Sequence, residues 1–145
     1  MKTLNWVACC LLAASSVCRA AEPAPAAPPA SSAELIAPAD LLTRINDKDA
    51  DLVVLDVRTA AEYQAGHVPG AINISHDQLA AKLASLPSDK QLVLYCRSGR
   101  RTALAEQTLR AAGFSRLLRL QGDFLAWEAQ QQPLERSPAA ASQPQ

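Results

Sequence analysis

The chain has 145 residues, 49% of them apolar, with Lys+Arg and Asp+Glu at 14 each and a formal net charge of zero. That length suits one domain, and that apolar content is enough to pack a core. The balanced charge gives no electrostatic footprint for nucleic acid or an anionic membrane surface, so neither is an expected partner.

The first 20 residues, MKTLNWVACCLLAASSVCRA, read as a secretory signal peptide. Lys2 supplies the basic start, an apolar run extends from about Leu4 to Val17, and small residues sit at Cys18 and Ala20, the positions a signal peptidase reads. The run is too short for a good spanning helix. Val17 is bulky for the position before a lipidated cysteine. Cleavage after Ala20 is therefore expected, with export to the periplasm and membrane contact only through an uncleaved signal. Removing Lys2 and Arg19 leaves 12 basic against 14 acidic residues, a formal charge of −2. Cleavage also removes Cys9, Cys10 and Cys18. Cys96 remains alone, so no internal disulfide can form.

An Ala/Pro-rich linker follows over residues 21–33, and a similar segment over 136–145 reads as a disordered tail. The folded domain is expected over 34–135. There, ELI is a short first strand. Pro38 and Asp40 suit the first turn of a helix whose apolar face is Leu41, Leu42 and Ile45. DLVVLDV (Asp51 to Val57) is a continuous apolar run, as in a strand buried on both faces. Thr59, with Glu62 three residues on, forms a capping box that opens a short helix. A strand is expected near Ile72 to Ile74. Leu79, Leu83 and Leu86 are spaced for a helix that Pro87 ends. QLVLY (Gln91 to Tyr95) is a second buried strand, followed by a loop and a helix from about Thr102 to Ala112, with Gly113 at its C-terminal cap. RLLRL is the last strand and DFLAWEAQQ the last helix. Alternating strands and helices predict an α/β fold: a mostly parallel sheet of about five strands with helices on both faces.

Ligands bind at the carboxyl ends of the strands in such sheets. Cys96 lies at one of those ends, which predicts a place in the crevice rather than the core. The thiolate is the reactive form of cysteine. Arg97, Arg100 and Arg101 bring positive charge, the following helix points its N-terminus at the loop, and tight-loop amides can converge on one sulfur. Gly99 supplies a position free to take positive φ, and Ser98 is either a loop filler or a hydrogen-bond donor to sulfur. Arginine grips oxyanions at two points. The loop thus suits a negatively charged sulfur with an anionic substrate held against it.

The CRSGRRT loop resembles the active-site loop of the rhodanese-like sulfurtransferases. LVVLDVRTAAEYQAGHVPGAINI (Leu52 to Ile74) is similar to another family segment, and AGFSRLLRLQGDFLAWEAQQQPL to its closing segment. The resemblance spans Leu35 to Leu134. It departs where the family often carries Gly-Gly and this chain has Gly122-Asp123; Asp123 is read as an N-cap. The resemblance implies a rhodanese-like fold and double displacement. Cys96 takes sulfur from a donor such as thiosulfate as a persulfide, held by the loop amides and arginines, and passes it to cyanide or a thiol, with no metal or organic cofactor.

Rival readings are weaker. A cysteine-dependent phosphatase or arsenate reductase needs Cys-x5-Arg, but the sixth residue after Cys96 is Thr102, and Arg101 comes one position early. A non-catalytic binding module of this family would be expected to lack the cysteine. A thiol–disulfide oxidoreductase would need a resolving cysteine. Asp56 and Arg58 are placed on the same rim as Cys96; Arg58 either pairs with Glu62 to fix the rim, the favoured role, or reaches the substrate. His67 and His76 lack metal-ligand spacing. Phe124 and Trp127 are expected in the core. One domain without long amphipathic additions suggests a monomer.

Overall fold

A computed structural model describes residues 33–137. The expected signal peptide and most of the linker and tail lie outside them. Five parallel strands form one sheet: β1 (Glu34–Ile36), β2 (Leu52–Asp56), β3 (Ile72–Asn73), β4 (Gln91–Tyr95) and β5 (Leu117–Leu120), in spatial order β1-β5-β4-β2-β3. The helices are α1 (Pro38–Asn46), α2 (Ala60–Ala65), α3 (Leu79–Lys82), α4 (Arg100–Ala111) and α5 (Asp123–Ala129). Each strand is followed by a helix, as the alternating pattern predicts.

Strand parity sorts the core into two layers, because successive side chains point to opposite faces. Leu92 and Leu94 of β4, with Cys96 just beyond it, pack with Leu79, Ala105 and Leu109 of α3 and α4. Val93 and Tyr95 pack on the other side with Leu41, Phe124 and Trp127 of α1 and α5. Leu55, Leu92, Leu94 and Trp127 are fully buried, each aliphatic side chain contributing about 1.5–3 kcal/mol by leaving water. Phe124 and Trp127 are core residues, as expected.

Several boundaries differ. The helix predicted over Leu79 to Leu86 is one α-turn that tightens into a 3-10 turn at Leu83–Ser85 before Pro87. α4 starts at Arg100, two residues earlier than predicted, because Gly99 at φ 95° turns the chain into the helix. The capping box is present: Thr59 accepts from the Glu62 N–H, and Glu62 accepts from the Thr59 N–H. Beyond α5 the chain returns to the end of α2, where His67 and Glu135 exchange backbone hydrogen bonds of 2.9 Å and Arg136 Nε donates to the Ala65 carbonyl at 3.2 Å.

Candidate active site

Parity sends Cys96 to the α4 side of the sheet, and the carboxyl end of β4 puts it at the mouth of a cleft of about 330 Å³ lined by His76, Cys96, Ser98, Arg100, Arg101 and Leu104. The residue is only 1% exposed and packs with Leu94 and Ala105. Crevice and core, set against each other by sequence reasoning, coincide at this position.

The loop is held from within and from α5. Gly99 N–H donates to Cys96 Sγ at 3.1 Å. Its positive φ is the reason a glycine stands there; an added Cβ would also lie 3.0 Å from Asp123 Oδ2 and 3.3 Å from Arg119 Nη2. From α5, the Phe124 and Leu125 amides donate to the carbonyls of Cys96 and Arg97 at 3.0 and 3.2 Å. From the same turn, Asp123 Oδ1 accepts from the Cys96 N–H at 2.9 Å and from Thr102 Oγ1 at 2.7 Å.

Asp123 is therefore not the N-cap expected from the sequence. Gly122 holds that position, without a side-chain cap, and Asp123 is the first helical residue at φ 53°. The physical reason lies in its partners. A buried carboxylate is retained only where donors meet it, and the donors are the Cys96 amide and the Thr102 hydroxyl of α4 rather than groups on its own helix.

Arg101 meets Glu62 in a two-point pair, Nη1–Oε2 2.6 Å and Nη2–Oε1 2.9 Å. Hydrogen bonding from Arg101, opposed by burial, holds the Glu62 carboxyl down at about 2. In return the carboxylate raises the Arg101 guanidinium above its ordinary value, and the Cys96 sulfur adds to that effect. Arg101 is thus a fixed cation beside the sulfur. Arg100 and Ser98 are exposed on the same cleft.

Arg97 lies elsewhere. It lines a neighbouring cavity of about 220 Å³ with Arg58, Glu62, Phe124, Glu128 and Arg136. The structure thus brings Ser98, Arg100 and Arg101 together with Cys96 but turns Arg97 to the next cavity.

Asp56 and Arg58 stand at the carboxyl end of β2, level with the end of β4 that carries Cys96, but their side chains are buried. They are 0% and 3% exposed. Arg58 pairs with Asp56 (Nη2–Oδ2 2.7 Å), not with Glu62, and donates to the Gly66 carbonyl at 2.7 Å. Residues two apart on extended chain share a face, so Asp-x-Arg selects the nearer carboxylate. Tyr95 Oη donates to Asp56 at 2.8 Å and accepts from Val68 N–H at 3.1 Å, while the guanidinium lies 3.8 Å over the Phe124 ring. Burial opposes the Arg58 charge, but Asp56 outweighs it and the net shift is upward. Burial, with the Asp56 charge, likewise raises the Tyr95 hydroxyl.

Sequence reasoning missed Asp123, Thr102, Arg119 and His76 at the site. Arg119 Nη2 lies 3.5 Å from the Gly99 carbonyl, and its Nε is buried without a partner. His76 follows β3 at the carboxyl edge of the sheet, so the argument that singled out Cys96 also applies to it. Among the described residues no group of three His, Cys, Asp or Glu side chains is placed to hold a metal ion.

A five-stranded parallel sheet with a cysteine loop between β4 and α4 defines an α/β protein with a thiol at its ligand-binding edge. The chain belongs to the rhodanese-like domain family, whose model matches residues 37–130. It is 34% identical over 87 residues to a sulfurtransferase of Allochromatium vinosum, covering 60% of this chain and 80% of that protein. It is likewise 34% identical over 83 residues to thiosulfate sulfurtransferase GlpE of Pseudoalteromonas translucida, covering 57% of this chain and 78% of that one. Some relatives are longer, and the chain spans 23% of one of them. A crystal structure of a rhodanese-related protein from Thermoplasma volcanium superimposes with a TM-score of 0.63 at 29% identity, over 72% of this chain and 99% of that one. At the level of the family, these relatives support sulfur transfer.

Proposed function

We propose that the protein is a thiosulfate sulfurtransferase that carries sulfane sulfur as a persulfide on Cys96. The observation that carries this reading is the Gly99 N–H on Cys96 Sγ at 3.1 Å in a cleft shared with Arg100 and Arg101. A backbone donor and a cation fixed by Glu62, with Arg100 on the same cleft, suit a sulfur nucleophile and the anion it attacks. The Cys96 thiolate attacks the outer sulfur of thiosulfate. The donor S–S bond breaks, its electron pair leaves with sulfite, and Cys96 holds the transferred sulfur. An acceptor nucleophile, cyanide or a thiol, then attacks that outer sulfur, and the Cys96 thiolate is regenerated.

The loop argues against phosphate ester hydrolysis. Thr102 occupies the position where Cys-x5-Arg needs arginine, and its hydroxyl is turned to Asp123. Export through the residues 1–20 leader completes the reading and rests on the sequence pattern.

Intact mass of the purified protein before and after thiosulfate tests it. The expected result is a gain of one sulfur atom, lost on adding cyanide and absent in Cys96→Ser. No gain in a protein whose Cys96 is reduced and alkylatable would refute the thiosulfate reading. The same spectrum of protein from the native host reports whether residues 1–20 have been removed.

A further inference from the structure

All but one of the side chains lining the Cys96 cleft come from the stretch 96–104; among the described residues, His76 alone comes from elsewhere, the connection between β3 and α3. Its backbone is anchored, with the His76 N–H donating to the Val57 carbonyl at 3.2 Å. The ring is not anchored in the same way. Nδ1 is buried and meets no hydrogen-bond partner among the described residues. Buried polar atoms are nearly always paired, so an orphan on a ring that lines the nucleophile's cleft needs an explanation. Imidazole is also the side chain that takes and gives a proton near neutral pH. The charged groups around it are Arg100 and Arg101 on the cleft and Asp77 next in the chain.

Double displacement asks for a proton acceptor in one half only. Thiosulfate brings no proton to the first half. A thiol acceptor does bring one, and it attacks well only once that proton is gone. Among the described residues no carboxylate lines the cleft, and Arg100, Arg101 and Ser98 are poor bases.

We propose that His76 is the general base that removes the proton from a thiol acceptor attacking the sulfur on Cys96, a role that rests on the sulfurtransferase reading above. The acceptor S–H bond breaks and its proton passes to the imidazole. The acceptor sulfur forms a bond to the outer sulfur, the Cys96 S–S bond breaks, and its electron pair stays on Cys96. The product leaves as a persulfide anion and the imidazolium returns its proton to water. No external oxidant or reductant enters. The substrate class follows: protonated alkyl thiols as acceptors.

The test loads the full chain with thiosulfate and follows discharge of the persulfide in wild type and His76→Gln at a pH where sulfite is ionised and 2-mercaptoethanol is not. Three acceptors are compared: 2-mercaptoethanol, sulfite, and an aromatic thiol already ionised at that pH. The expected result is a loss with 2-mercaptoethanol that exceeds the loss with sulfite or the aromatic thiolate by on the order of 10²-fold. A misfolded or merely distorted variant would slow all three alike, and that outcome overturns the proposal. Equal rates in variant and wild type with 2-mercaptoethanol overturn it too. If wild type takes up no sulfur, the sulfurtransferase reading itself fails; if it loads and discharges to sulfite while His76→Gln shows no split, only the role of His76 fails.

Discussion

Two arginine–carboxylate pairs flank this active site, and they make different uses of the same chemistry. Arg58–Asp56 has side chains 4% and 0% exposed and is held by Tyr95, the Gly66 carbonyl and Phe124. Arg101–Glu62 has side chains 23% and 29% exposed and stands at the sulfur. A buried pair is costly to assemble and more costly to break, whereas a solvated pair adds little to stability. The first pair therefore belongs to the fold. The second holds one cation in place at small cost to the rest of the chain.

That contrast can be broken at the buried end first. Asp56→Ala leaves Arg58 charged and unpaired in the core, and a loss of about 3–5 kcal/mol in urea unfolding is expected. A loss no larger than that of Glu62→Gln would erase the distinction. Next comes the carboxylate that holds the cysteine loop. Asp123→Ala removes the acceptor for the Cys96 N–H and Thr102 Oγ1, and an unfolding loss of about 1.5–3 kcal/mol is expected together with slower sulfur loading. Gly99→Ala forces an alanine into φ 95° against Asp123 and Arg119, at an expected cost of about 1–2 kcal/mol. Mass spectrometry after thiosulfate should show loading lost in proportion to loop distortion rather than to stability.

The smallest stability effect is expected at Glu62. Glu62→Gln should cost no more than about 1 kcal/mol in urea while lowering the rate of sulfur loading, since Arg101 loses its anchor. The pH dependence has the same origin. The Glu62 carboxyl is held at about 2, below the 4.5 of the free side chain. Its folded value is depressed, so the pair's contribution is complete above about pH 4.5 and is lost as pH falls from there toward 2. Urea midpoints of wild type and Glu62→Gln should therefore converge across that window and stay parallel above it.

The layered α/β fold was legible because buried strands here are short β-branched or leucine-rich runs bounded by turn residues, and because the Thr59–Glu62 capping box is a local device. The thiol was legible for the same reason: it follows a strand directly. Side-chain partners were less so. Arg58 had two carboxylates within reach on paper, and only the strand parity linking Asp56 to Arg58 separates them. Tyr95 joins that network through its register against Asp56 across the sheet, which no local pattern encodes. Asp123 was misread because capping residues are recognised by what lies next to them in sequence, while its donors are 27 and 21 residues away.

The strand order has a consequence for synthesis. β1 stands at one edge of the sheet, and its neighbour is β5, with Glu34 opposite Leu118 and Ile36 opposite Leu120. The first strand made must wait for the last. Until residue 120 has left the ribosome, its backbone donors and acceptors have no partner, and pairing it afterwards closes a loop spanning most of the domain, a slow step. A nascent chain, or one cut short before β5, is left with an unpaired strand end and half-covered apolar faces.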